Sequence, residues 1–224
     1  MSWHLFTVFF ITTFFISATP GPNMLLAFQY GMNYGVKRTA WTLAGLSLGL
    51  FVLLLSTLLG LDVISRQLPW LLELIKVIGA LYLIYLGIVS WRDTGESSGL
   101  IEEAKELSAD IASTQKTVAI VSNWRLFRIG VWVSLSNPKA ILFFAAFFPK
   151  FINFEAPLWS QYVLLTLGFF LSETIWQIIY TIGGKQLAGW LDVGNRLILL
   201  NRACGVIFIL IALALIFEVV NNLL

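Results

Sequence analysis

Three groups of residues in this sequence could do chemistry together. Thr19-Pro20-Gly21-Pro22-Asn23 and Ser136-Asn137-Pro138-Lys139 each set a helix-breaking proline beside an amide side chain, and the second adds a cation. Glu173 stands between Ser172 and Thr174, with Gln177 one turn on, and is the only acid well inside an apolar stretch. A proline lacks an N–H and clashes with the carbonyl one turn back. In lipid, each backbone group freed this way is costly unless something satisfies it. An unpaired Lys at the membrane centre costs about 2.5–3.5 kcal/mol on insertion scales. Lys139 must therefore face the interior and meet either an acid or an anionic solute. Half-helix N-termini can hold a carboxylate, and bare carbonyls can hold an ammonium.

The expected site follows from those needs. Lys139, or the half-helix N-terminus next to it at Asn137 and Pro138, takes a carboxylate. Asn23 and the carbonyls freed by Pro20 and Pro22, around Gly21, take an ammonium. Apolar walls such as Phe143 and Phe144 favour a neutral zwitterion over lysine or arginine. Glu173 is the candidate for carrying a proton, since it and Lys139 can tune each other's proton affinity. The plain alternatives are two proline kinks and a structural Lys139–Glu173 pair.

The elements that position these groups are membrane helices. The chain has 224 residues, 58% hydrophobic and 12% charged, with a mean hydropathy of +0.86. A soluble domain carries roughly a quarter charged residues, so the apolar excess must face a lipid bilayer. A span needs about 20 apolar residues. Stretches near Leu5–Tyr30, Thr39–Leu61, Trp70–Trp91, Leu126–Phe148, Leu158–Ile182 and Leu197–Val219 qualify. The first could pass for a secretory signal, but no Lys or Arg precedes Lys37 and the apolar run continues past Pro22, so it reads as a retained span.

A net charge of +2 gives no reason to expect a nucleic-acid partner. The single His4 and single Cys204 make neither a metal cluster nor a disulfide. No cofactor is expected. No catalytic constellation and no phosphate-binding Gly-rich loop is present, so an enzyme is disfavoured. A non-transporting scaffold or sensor subunit is the other reading.

The halves resemble one another weakly. Aligning Pro22 with Pro138 sets Leu25 over Ile141, Leu26 over Leu142 and Phe28 over Phe144. Lys76-x-x-Gly79-x-x-Tyr82 matches Arg202-x-x-Gly205-x-x-Phe208. The expected fold is an all-α integral membrane protein of about six helices. It forms a three-plus-three inverted repeat with spans one and four broken, a common plan for secondary transporters. Residues 1–91 form one half, 92–124 a polar connector and 125–224 the other half of one membrane domain.

Lys and Arg near span ends concentrate in the first, third and fifth connectors, at Lys37, Arg38, Arg92, Lys105, Lys116, Lys185 and Arg196. Those connectors are expected in the cytoplasm and both termini outside. Trp70, Trp91, Trp124, Trp159 and Trp190 fall near expected interfaces. Gly45-x-x-x-Gly49 fits either packing within the chain or a homodimer, and the pattern does not choose.

Thr19-Pro20-Gly21-Pro22-Asn23, Gly79-Ala80-Leu81-Tyr82-Leu83-Ile84-Tyr85-Leu86-Gly87 and Leu135-Ser136-Asn137-Pro138-Lys139-Ala140-Ile141-Leu142-Phe143-Phe144 also resemble signatures of the LysE/RhtB family of bacterial amino-acid exporters. The likeness covers the chain except its polar connector and is greatest to the branch that exports leucine, threonine and homoserine. It implies an inner-membrane carrier that expels amino acids against an incoming proton. Glu73 and Lys76 are not family marks and are expected either to snorkel or to pair at the outer interface.

Overall fold

A computed structural model of the chain describes residues 3–19, 21–92, 121–192 and 196–223. Pro20 and nearly all of the polar connector lie outside these. Among the described residues the regular structure is entirely helical: α1 (Trp3–Ala18), α2 (Pro22–Tyr34), α3 (Val36–Gln67), α4 (Pro69–Arg92), α5 (Asn123–Leu135), α6 (Pro138–Phe147), a 3-10 turn (Phe148–Phe151), α7 (Leu158–Asp192) and α8 (Arg196–Leu223).

Four helical segments are long and apolar enough to cross a membrane alone: Val36–Gln67, Trp70–Arg92, Leu158–Gly183 and Asn201–Asn221. Two bent helix pairs pass the same test together and bring the spans to six when each pair is counted as one. Trp3–Ala18 meets Pro22–Tyr34 at 55°, and Asn123–Leu135 meets Pro138–Phe151 at 50°. The protein is thus an all-α, multi-pass membrane protein with breaks in its first and fourth spans.

The prolines at the breaks start helices rather than kink them. Pro22 and Pro138 sit in the first turns of α2 and α6, where a missing N–H costs nothing. Between α2 and α3 the chain turns at Gly35, the one residue of positive φ among those described (φ 74°), a conformation open to glycine without strain.

Helix packing follows a two-fold pattern. The first span packs on the fifth and sixth, and the fourth packs on the second and third. The second pairs with the third as the fifth does with the sixth. The third meets the sixth directly, and the second meets the fifth. These are the pairings expected when two halves exchange places.

Small residues permit the closest crossings. A Cβ on Gly45 would lie 2.0 Å from the Phe127 carbonyl oxygen, and one on Gly130 would lie 2.4 Å from that of Thr42. Gly45-x-x-x-Gly49 therefore serves packing of α3 on α5 inside the chain. Gly87 and Gly205 bring α4 and α8 together in the same way. Around the bundle Trp70, Trp91, Trp124 and Trp159 are exposed, as residues of an interfacial belt are. Lys76 donates to Glu73 at 3.1 Å, with the Lys76 side chain buried.

The core divides in two. One cluster, on the side of the second and fourth connectors, is built around Phe9, Phe143, Phe144, Phe147, Phe148, Phe151 and Phe169. Its rings stack closely, with Phe147 4.7 Å from both Phe143 and Phe151. The other cluster, on the side of the first and third connectors, gathers Met24, Ala27, Tyr30, Leu46, Leu126 and Tyr180. Both breaks lie between the two.

Candidate functional site in the broken spans

A pocket of about 40 Å³ opens where the breaks meet, with room for a few waters. Its polar lining comes from Ser17, Thr19, Gly21, Asn23, Asn137, Lys139 and Glu173, and its apolar walls include Leu50, Phe143 and Phe169. Gly21, Asn23, Asn137, Lys139 and Glu173, all expected from sequence, are therefore brought together. Pro22 and Pro138 do not line the pocket; they launch the helices that do. Phe144 lies behind the wall, within the aromatic cluster.

The two half-helix N-termini differ. At α6, Asn137 Oδ1 accepts from the Lys139 and Ala140 backbone N–H groups at 3.0 and 3.4 Å. That cap fixes which way the Asn137 amide faces. Its Nδ2 then donates to Asn23 Oδ1 at 3.1 Å. At α2, by contrast, no side chain caps the first turn. The first N–H groups of a helix have no partner within it, and Asn23 and Met24 of this first turn line the pocket. Asn23 has given its oxygen to Asn137, and its buried Nδ2 makes no hydrogen bond.

The C-terminal carbonyls of α1 are held from several directions. Lys139 Nζ donates to the oxygens of Ile16 and Thr19, each at 3.0 Å. Trp176 Nε1 donates to Phe14 O at 2.9 Å and Tyr180 Oη to Ala18 O at 2.9 Å. Cys204 Sγ donates weakly to Phe15 O at 3.3 Å. Lys139 and the span-one carbonyls, expected to take opposite ends of a solute, are here each other's partners. Lys139 starts at the N-terminal end of α6, where a helix dipole disfavours a cation. Its stem carries the charge to the C-terminal end of α1, where the dipole favours one.

Glu173 lies across the pocket and is buried. Ser17, Gln177 and Asn23 stand close enough to influence its carboxyl. The amide nitrogens of Asn23 and Gln177 nonetheless fall short of hydrogen-bond geometry. Lys139 and Glu173 feel each other's charge but do not meet as an ion pair within 4.0 Å.

Trp176, Tyr180 and Cys204 are site residues that sequence reasoning passed over. A signal for two of them was present. Glu173, Trp176, Gln177, Tyr180 and Thr181 fall at i, i+3, i+4, i+7 and i+8 of one spanning helix, a single inward stripe.

The sequence pattern shared by LysE type translocators matches residues 14–219. The chain belongs to the LysE type translocator family. Among its relatives, a homoserine/homoserine lactone efflux protein of Salmonella typhi is 30% identical over 211 residues, covering 94% of this chain and 95% of that one. A leucine efflux protein of Enterobacter sp. (strain 638) is 26% identical over 212 residues, 91% of each chain. No solved structure gives a significant match. Membership of a translocator family points to transport rather than catalysis. In this LysE type translocator both breaks and every residue lining the pocket between them lie inside the matched region.

Proposed function

We propose that this protein exports neutral amino acids from the cytoplasm across the bacterial inner membrane, in exchange for protons. The zwitterion would bridge the break in the first span. Its carboxylate would sit at the open N-terminus of α2, beside the unpaired amide nitrogen of Asn23. Its ammonium would meet the carbonyls at the end of α1. Asn137, from the other break, would orient Asn23, Lys139 would hold the same carbonyls until the substrate takes them, and Glu173 would carry the exchanged proton.

The observation that carries this reading is the asymmetry of the capping. Asn137 closes α6, while α2 has no side-chain cap and its first-turn residues line the pocket together with Ile16 and Thr19 from the end of α1. Opposite helix ends facing one cavity suit a molecule with both charges. The neutral class is supported by the walls at Leu50, Phe143 and Phe169. It is also supported by relatives named for homoserine and leucine efflux.

Counterflow in proteoliposomes tests the proposal. Saturable exchange of neutral amino acids, with none for lysine or arginine, is the expected result. Reconstituted protein that moves no amino acid at all would instead make the chain a non-transporting membrane subunit.

A further inference from the structure

We propose that the Ile16 and Thr19 carbonyls form an ammonium site for which Lys139 competes with the substrate, and that charged Glu173 draws Lys139 away from it. This rests on the reading above and adds how proton and substrate come to exclude each other. The geometry supplies each part. The Lys139 ammonium bridges both oxygens at 3.0 Å, so a substrate ammonium cannot take them at the same time. Glu173 lines the same pocket without pairing to Lys139. Gly21 offers bare backbone along the lysine stem: a Cβ there would lie 3.4 Å from Lys139 Cδ and 3.8 Å from Nζ.

The structure then corresponds to the proton-loaded state. With Glu173 neutral, Lys139 stays on the carbonyls and the substrate site is shut. When the proton leaves Glu173 for water in the pocket, the carboxylate attracts the ammonium. Lys139 crosses to it, and the carbonyls open to an amino acid. Other titratable groups in reach are Cys204 on α8 and Tyr180 on α7. Both are engaged with α1 carbonyls as neutral donors. Among the described residues of α1, α2 and α3 that line the pocket, none is charged.

Two measurements on the purified protein test this. Leucine binding by the wild type should tighten as pH rises, by up to about tenfold per pH unit, the limit for one proton. Lys139→Met keeps the stem's volume without the charge. It should bind at pH 6 as tightly as the wild type does at pH 8, with a flat profile. Folded Lys139→Met that has lost binding at both pH values would overturn the proposal, because Lys139 would then be gripping the substrate. In the second measurement, methylammonium chloride should raise the melting temperature of Lys139→Ala by about 2 °C or more over equal tetramethylammonium chloride. The wild type should show no such difference. Equal effects of both salts on Lys139→Ala would also overturn it. Methylammonium stabilisation with no amino-acid binding in any variant would keep the ammonium site and reject the substrate class.

Discussion

Asn137 donates its side-chain amide to Asn23 Oδ1 at 3.1 Å, joining the breaks of two spans that lie 114 residues apart in sequence. The bond has a direction set by capping. Asn137 must point its oxygen at the α6 backbone, so it can only donate to Asn23. Asn23 must then accept, which leaves its own Nδ2 without a partner. One cap thus orients a donor on the opposite helix.

Replacing Asn137 separates the cap from the link. Asn137→Ala loses a cap of about 1 kcal/mol and a buried hydrogen bond of about 1 kcal/mol. A stability loss near their sum is expected in denaturant unfolding in detergent. Asn137→Asp keeps an oxygen for the cap but removes the Nδ2 donor. It should recover much of the stability while amino-acid counterflow stays low. Wild-type counterflow in Asn137→Asp would mean that the orientation of Asn23 does not matter.

Glu173→Gln should abolish efflux driven by a pH gradient. Counterflow should survive with weaker apparent affinity, since a neutral amide cannot draw Lys139 off the carbonyls. Gradient-driven efflux at the normal rate would assign Glu173 to structure alone.

The glycines give a paired stability test. Gly45→Ala forces a Cβ to within 2.0 Å of the Phe127 carbonyl oxygen, and backbone cannot easily move aside. Loss of the folded monodisperse protein in size exclusion is expected. Gly60 has nothing within 4 Å of its Cβ position. Gly60→Ala should be neutral or stabilising by up to about 1 kcal/mol from helix propensity. Equal behaviour of the two would contradict the close packing of α3 on α5.

Orientation is testable with single cysteines. A Cys204→Ser background keeps a hydrogen donor for Phe15 O. Cysteine at Leu224 should react with an impermeant maleimide added to intact cells, while cysteine at Ser97 should not. The reverse pattern would place the first, third and fifth connectors outside.

Much of this arrangement was legible in the sequence because membrane helices carry their own rules. The spans show as apolar runs, and the breaks show as prolines that no continuous helix accommodates. Glu173 shows as a lone acid where acids are costly. What could not be read was how the freed backbone groups are satisfied. That Lys139 reaches back 123 residues to Ile16 depends on how the two bent spans cross, which no local pattern encodes. Cys204 reads as a small buried apolar residue until its distance to Phe15 O is known. Phe143 and Phe144 are equivalent in sequence, yet only Phe143 faces the pocket.

The carbonyl end of α1 also bears on how the chain is made. Phe14, Phe15, Ile16, Ala18 and Thr19 find side-chain partners at Trp176, Cys204, Lys139, Tyr180 and Lys139 again. All four partners come from the second half of the chain. Translation proceeds at about 5–20 residues per second, so about 6 to 25 s separate the synthesis of Ile16 from that of Lys139. Through that interval Ile16 O has only the Thr19 N–H and hydroxyl as partners, and the oxygens at this end of the first span lack the second-half donors in surroundings that will not solvate them. The nascent bundle must keep this seam near water, or within the insertion machinery, until the fourth span arrives to close it. A first half expressed alone would lack these partners altogether, and co-expression of the missing half is what should restore it.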